Sequence, residues 1–348
     1  MIMSKRAVSP TMHRFISTLA LAIGALLGAA AWTANAAAPI APSDPMRAAQ
    51  PGELVRLPDG RRLNFRCAGK GAPTVIFEGG FAATSLAWFK VQPQVAKRRR
   101  ACAYDRAGYG FSDPGPSPRD GAAVAKDLDE GLTAAHIKGP FILVGHSAGG
   151  LYVRLFSDRR PDQVEGMVLV DPSVDHQDER LEAAFGPGAG SLAGLRARAA
   201  RCLAAAEQHN LPSSDPTLAA CTPKANAPET PAVAAARMAE AVRPSTWRTQ
   251  ISELDTLWGA TSDEVYRGRP SLGAMPLIVL TADGTYASVP PQARSAVDRV
   301  WRQLHQEVAR RSTRGSERLV ANTSHMIMLD QPNAVIQAIE EVAAQQNR

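Results

Sequence analysis

From Phe141 to Arg159 the chain reads FILVGHSAGGLYVRLFSDR: four apolar residues in a row, a serine set between Gly145 and Gly149, and then a helical pattern. An unbroken apolar run of this kind reads as a strand buried on both faces, and a strand that passes straight into a helix needs a sharp turn between them. With only small residues around it, Ser147 can stand clear of the sheet on that turn, on a strained backbone. A small hydroxyl at a corner also needs no function, so the weight of the motif depends on what else the chain carries.

Short apolar or alternating runs recur along the sequence as RLNFRC, TVIFEGG, ACAYDRAG, GMVLVDPS and PLIVLTADG, with a helical candidate, GAAVAKDLDEGLTAAHI, just before FILVG. Strand and helix in alternation predict an α/β protein with a mostly parallel central sheet flanked by helices, built from residues 53–175 and 274–348. Between 176 and 273 the pattern changes to Ala-rich helical segments broken by LPSSDP and TPKANAPETP, which reads as an inserted helical cap or lid.

At 348 residues, 45% hydrophobic and 21% charged, the chain can bury one large core or two modest ones. Lys5, Arg6 and Arg14 precede an uncharged stretch from Phe15 to Ala38 that passes through Ala34-Asn35-Ala36, the layout of a secretory signal peptide over residues 1–36, with a linker over 37–52. A cleaved leader predicts an exported protein, periplasmic or secreted, with no stable membrane span. The alternative is an uncleaved N-terminal anchor, since about 18 apolar residues can cross a bilayer. Without the leader's basic residues the formal charge falls from +6 to +3, too mild to indicate a nucleic-acid partner, and the run Lys97 to Arg100 reads as a helix end.

Cys67, Cys102, Cys202 and Cys221 show no C-x-x-C spacing, so disulfides are expected rather than metal or redox chemistry, with three pairings open. His136, His176, His209 and His305 have no ligand spacing to one another or to carboxylates, and no metal or cofactor is implied. Trp88, Trp258 and Trp301 read as packing residues, His146 as a packing and hydrogen-bonding residue rather than a base, and Tyr104, Asp105 and Arg106 as ties between a loop and the sheet.

Four blocks occur in order: EGGF at 78–81, YDRAGYGFSD from Tyr104 to Asp113, GHSAGG at the turn, and NTSHMIMLDQPNAVIQAI from Asn322 to Ile339. Together they make the chain resemble the α/β-hydrolase superfamily, serine hydrolases with a G-x-S-x-G nucleophile elbow, here of an exported bacterial type. The resemblance implies the α/β-hydrolase fold, Ser147 as nucleophile and His325 as base. An oxyanion would be held by the amides of Ala148 and Phe81, with Gly80 as second choice to Phe81. Where many relatives carry His-Gly before that amide, this chain has Glu78, Gly79 and Gly80 and resembles a branch reading E-x-G-L/F. The family's strand order would make the strands of Cys67 and Cys102 neighbours, which implies a Cys67–Cys102 disulfide and leaves Cys202–Cys221 as a staple within the cap.

The acid that orients His325 is the open member. In the common family pattern it follows PLIVL by a spacing that falls on Thr285 here, with Asp283 two residues earlier. The other seat is one strand earlier, at Asp171 in VDPS, as in pancreatic-type lipases and some haloalkane dehalogenases. Asp171 is the preferred acid, with Asp283 and then Asp175 as alternatives, and all three can equally be turn or helix-start carboxylates.

A serine at the elbow implies cleavage of a carboxylic ester of a small molecule through an acyl-enzyme, and argues against the Asp-based chemistry of dehalogenases and epoxide hydrolases. An amidase of the prolyl-aminopeptidase type would need cap carboxylates for a free amine, for which Glu207, Glu229 and Glu240 are present. A binding protein that kept the fold without turnover is the third reading.

Overall fold

The computed structural model describes residues 48–223 and 230–345. The expected leader at 1–36, most of the linker at 37–52 and Glu229 lie outside the described residues.

Eight strands form one sheet: β1 (Glu53–Arg56), β2 (Arg62–Ala68), β3 (Thr74–Glu78), β4 (Ala101–Tyr104), β5 (Phe141–His146), β6 (Val164–Val170), β7 (Leu277–Ala282) and β8 (Gly315–Val320). Their order is β1-β2-β4-β3-β5-β6-β7-β8. From β4 through β3 to β8 neighbours run parallel, while β1 and β2 form an antiparallel corner that joins β4. The apolar runs explain the interior. Every residue of β3, β4, β5 and β7 is buried, and the alternation of a strand sends Leu143 to one face and Val144 to the other.

Helices cover both faces. Leu143 joins a core with Leu128 and Leu132 of α1 (Gly121–Ala134), Leu151 and Leu155 of α2 (Gly149–Arg159) and residues of the later helix Pro291–Ala309. Val144 joins the core of the other face with Val335, Ile339 and Val342 of the helix Pro332–Ala344. The helix α1 starts where Asp120 accepts from the Ala123 amide, an N-cap worth about 1 kcal/mol.

Between β6 and β7 lie α3 (Gln177–Phe185), α4 (Ala193–Glu207), α5 (Pro231–Ala241), α6 (Pro244–Thr256) and a short helix, Ser262–Arg267. This insertion has a small core of its own, with Ala199 and Cys202 of α4 against Leu218, Cys221 and Trp247. The Cys202–Cys221 disulfide closes a separation of 19 residues there, which stabilises by about 3 kcal/mol through the unfolded chain. The second disulfide joins Cys67 to Cys102, which face each other across β2 and β4. Among the described residues no helix is long and apolar enough to cross a membrane.

After β7 come α7 (Pro291–Ala309), β8 and α8 (Pro332–Ala344). The loop between β8 and α8 carries His325 back over the carboxyl ends of the parallel strands, where ligands bind in open α/β sheets.

Candidate active site

At the end of β5 the backbone of Ser147 takes φ +52°, a left-handed conformation that costs a non-glycine residue about 1–3 kcal/mol. Its neighbours hold it there: the Ser147 amide donates to Val170 O at 3.2 Å, and its carbonyl accepts from Gly150 and Ser173 at 2.8 Å each. Side chains beside it are excluded by space. A Cβ on Gly145 would lie 2.6 Å from Gly149 O, and one on Gly149 would lie 2.7 Å from the carbonyls of Glu78 and Gly79. The turn after β3 reaches the serine itself, since a Cβ on Gly80 would come within 2.9 Å of Ser147 Cβ.

Two amides stand ready at this corner. Among the described residues, neither the Phe81 nor the Ala148 amide donates to a protein acceptor. Ala148 is the N-cap of α2, so the partial positive charge of that helix end lies at the same place. Phe81 and Ala148 are both buried.

Asp171 sits at the end of β6, fully buried, with φ +42°. Its Oδ2 accepts from His325 Nδ1 at 2.6 Å and from the Thr285 hydroxyl, and its Oδ1 accepts from the Ala282 amide at 3.0 Å and Trp301 Nε1 at 2.9 Å. Burial raises the carboxyl pKa, but the hydrogen bond and charge of His325 and the Thr285 hydroxyl outweigh it and hold the group at about 2. An ionised Asp171 fixes the proton of His325 on Nδ1 and leaves Nε2 as a proton acceptor.

The imidazole is set from its backbone as well. His146 Nε2 lies 2.9 Å from the His325 carbonyl, so it donates there, and the two rings lie 4.6 Å apart. Burial, with His325 beside it, pushes the His146 pKa down to about 3, which keeps it neutral. Behind Asp171, His305 donates from Nε2 to Pro172 O at 2.9 Å, accepts from Thr281 at Nδ1 at 2.8 Å, and packs its ring 4.4 Å from Trp301.

The other carboxylates considered for the acid are engaged elsewhere. Asp283, at the end of β7, accepts from the amides of Asn322 and Thr323 at 2.9 and 3.1 Å and so holds the loop that leads to His325. Asp175 is paired with Arg154 at 2.7 Å and Arg311 at 3.1 Å. Thr285, which stands where the common family pattern places the acid, donates to Asp171 instead. Of the insertion's carboxylates, Glu207 is bonded to Arg248 and Glu240 accepts from the Gly110 amide at 2.8 Å.

Sequence reading missed the part played by Trp301 and His305, taking the first as packing and giving the second no role. Their signal was spacing: four residues apart on α7, they share one face of that helix. Asp105 ties a loop to the sheet as expected, accepting from Asn64 at 2.7 Å and from the Ser85 amide at 2.8 Å.

The model of the alpha/beta hydrolase family matches residues 75–338. Among solved structures, a thermophilic esterase from Thermogutta terrifontis is similar over 84% of this chain and 98% of its own, with a TM-score of 0.52 and 20% identity. A meta-cleavage product hydrolase from Pseudomonas fluorescens is similar over 85% of this chain and 98% of its own, with a TM-score of 0.56 and 18% identity. At these identities the likeness concerns the fold. An uncharacterized vacuolar membrane protein of Saccharomyces cerevisiae is 42% identical over 106 residues, 29% of this chain, which spans only 16% of that relative's length.

Proposed function

The chain belongs to the alpha/beta hydrolase family, and from that premise we propose that it is a serine hydrolase that cleaves a carboxylic ester of a small molecule. The observation that carries the reading is the 2.6 Å bond from His325 Nδ1 to a fully buried carboxylate, which leaves the other ring nitrogen free to act as a base, while His146, next in sequence to the strained Ser147, bonds the His325 carbonyl.

In this reading His325 Nε2 takes the proton of Ser147 Oγ as the oxygen attacks the acyl carbon. The oxyanion is held by the amides of Phe81 and Ala148. Collapse breaks the ester bond, and the departing alcohol takes the proton from His325. Water then attacks the acyl-serine, again losing its proton to His325, and the acid leaves with Ser147 restored. Asp171 keeps the imidazole oriented and stabilises the imidazolium through both halves.

The insertion between β6 and β7 is the cap that shapes the substrate site. The amidase reading is less well supported, because Glu207 and Glu240 are already committed to Arg248 and Gly110 and are not left to hold a free amine. Two disulfides agree with a protein that works in an oxidising compartment, periplasmic or secreted.

Labelling with a fluorophosphonate, followed by a panel of p-nitrophenyl esters and dipeptide arylamides with Ser147→Ala as blank, tests this reading. The expected result is label on Ser147 and ester turnover that the blank lacks. No label on folded protein favours a binding protein, and arylamide cleavage dominating over ester cleavage favours the amidase.

A further inference from the structure

We propose that Arg106 is a positioning residue for the oxyanion-binding turn and that Glu253, from the insertion, holds Arg106 in place; the inference rests on the serine-hydrolase reading above. Arg106 follows β4 and is buried. Its Nη1 donates to Gly79 O at 2.7 Å and to Glu78 Oε1 at 2.8 Å, and its Nη2 donates to Gly80 O at 2.8 Å. Its Nε and Nη2 donate to the two carboxylate oxygens of Glu253, on α6, at 3.0 and 3.3 Å. A guanidinium has five N–H groups, and these contacts use all of them. The side chain therefore has nothing left with which to bind a substrate.

What the contacts control is the direction of an amide. The carbonyl of Gly80 and the N–H of Phe81 belong to one planar peptide and point in opposite directions, so fixing the oxygen fixes the hydrogen. Gly80 must be glycine for space, since a Cβ there would lie 2.8 Å from His146 Nδ1 and 2.9 Å from Ser147 Cβ. Glycine brings conformational freedom with it, and two in succession leave the peptide planes of the turn poorly determined by local sterics. Arg106 grips the carbonyls of both Gly79 and Gly80. A short-range bond from the Ala83 amide to Gly80 O, at 3.1 Å, completes the turn.

Glu253 makes this a joint between cap and turn. It also accepts from Tyr109 OH at 2.9 Å, while Glu78 accepts from Tyr104 OH. One cation thus lies between two buried carboxylates, one on the turn's own strand and one on the insertion. On the same helix, Thr246 donates to Gly108 O at 3.3 Å, two residues beyond Arg106. The seating of the insertion and the aim of the Phe81 amide are parts of one buried unit.

Arg106→Lys keeps the charge but presents a single nitrogen, which cannot span two carbonyls and two carboxylates. With an ester that the wild type turns over, the expected result is a kcat reduced about 100-fold, the cost of losing one oxyanion donor, with KM little changed. The ratio of rates for that ester and its thionoester should shrink in the same variant, because sulfur accepts the oxyanion-site hydrogen bonds poorly and has less to lose. Glu253→Gln, which removes the charge while keeping the shape, should move kcat and the ratio in the same direction by less, and it decides the matter if Arg106→Lys does not fold. A ratio equal to wild type in a folded variant, or a rise in KM at unchanged kcat, overturns the inference and leaves the cluster a structural tie. If Ser147 of the wild type takes no fluorophosphonate, the hydrolase reading fails first and this inference falls with it.

Discussion

The ends of β6 and β7 are neighbours, each closes on an aspartate, and the two aspartates act on the same loop in different ways. Asp171, after β6, bonds the ring of His325, and Asp283, after β7, bonds the backbone amides of Asn322 and Thr323. Both accept on each of their oxygens, but Asp171 is fully buried, whereas Asp283 is exposed and serves as a turn carboxylate. Adjacent strands thus share the work. The β6 end holds the imidazole ring through Nδ1, and the β7 end holds the path of the chain that brings it there. The lesson is that carboxylates in a family's usual neighbourhood are told apart by which group donates a hydrogen bond to them, not by their spacing from a strand.

The sharpest way to break the comparison is Asp171→Asn. It keeps the shape but favours the wrong tautomer of His325, and kcat for an ester should fall about 10⁴-fold with KM little changed, measured by steady-state kinetics. An equal loss in Asp283→Asn would erase the distinction.

Next come the groups that donate to Asp171. Removing the Thr285 hydroxyl in Thr285→Val, or the indole N–H in Trp301→Phe, takes a hydrogen bond from a buried carboxylate, and each should cost about 1.5–3 kcal/mol of stability in urea unfolding. Neither change should leave stability as it was.

The pH dependence of stability separates the β6 end, with Asp171, from the β5 end, with His146. Asp171 is held at about 2, below its unfolded value, so its contribution is present above pH ~4 and is lost as pH falls through 2; it amounts to about 2 kcal/mol and should vanish in Asp171→Asn. His146, held at about 3 by burial, works at a higher pH: the unfolded chain takes up a proton below pH ~6.5 that the folded chain refuses, so stability declines from there downward. Urea midpoints at pH 7, 5 and 3 read both effects.

The smallest effect belongs to Asp283→Asn, where the remaining amide oxygen can still accept. A loss of about 1 kcal/mol in stability and less than a tenfold change in kcat are expected.

Legibility followed burial and locality. FILV, TVIF and LIVL could be read as strands because they lie inside the sheet and are apolar at every position but Thr74, whereas β1 and β8 are edge strands with half-exposed, charged sequences that carry no such signal. Ser147 and His325 each stand in a block of local sequence that marks them. The choice of acid was narrowed to three residues with Asp171 preferred but not singled out, because strand ends supply aspartates for turns as readily as for chemistry. The layer behind Asp171 was marked only by the four-residue spacing of Trp301 and His305, and the clamp that joins Arg106 to Glu253 across 147 residues depends on a contact between distant segments that no local spacing announces.

The measurement that goes to the centre of this account is the second-order rate of fluorophosphonate labelling at Ser147 in wild type, Asp171→Asn and Asp283→Asn. It reads the activation of the serine without needing the natural substrate. Asp283→Asn is expected to label within about tenfold of wild type and Asp171→Asn at least about 10³-fold more slowly; fast labelling of Asp171→Asn beside slow labelling of Asp283→Asn would make Asp283 the acid instead.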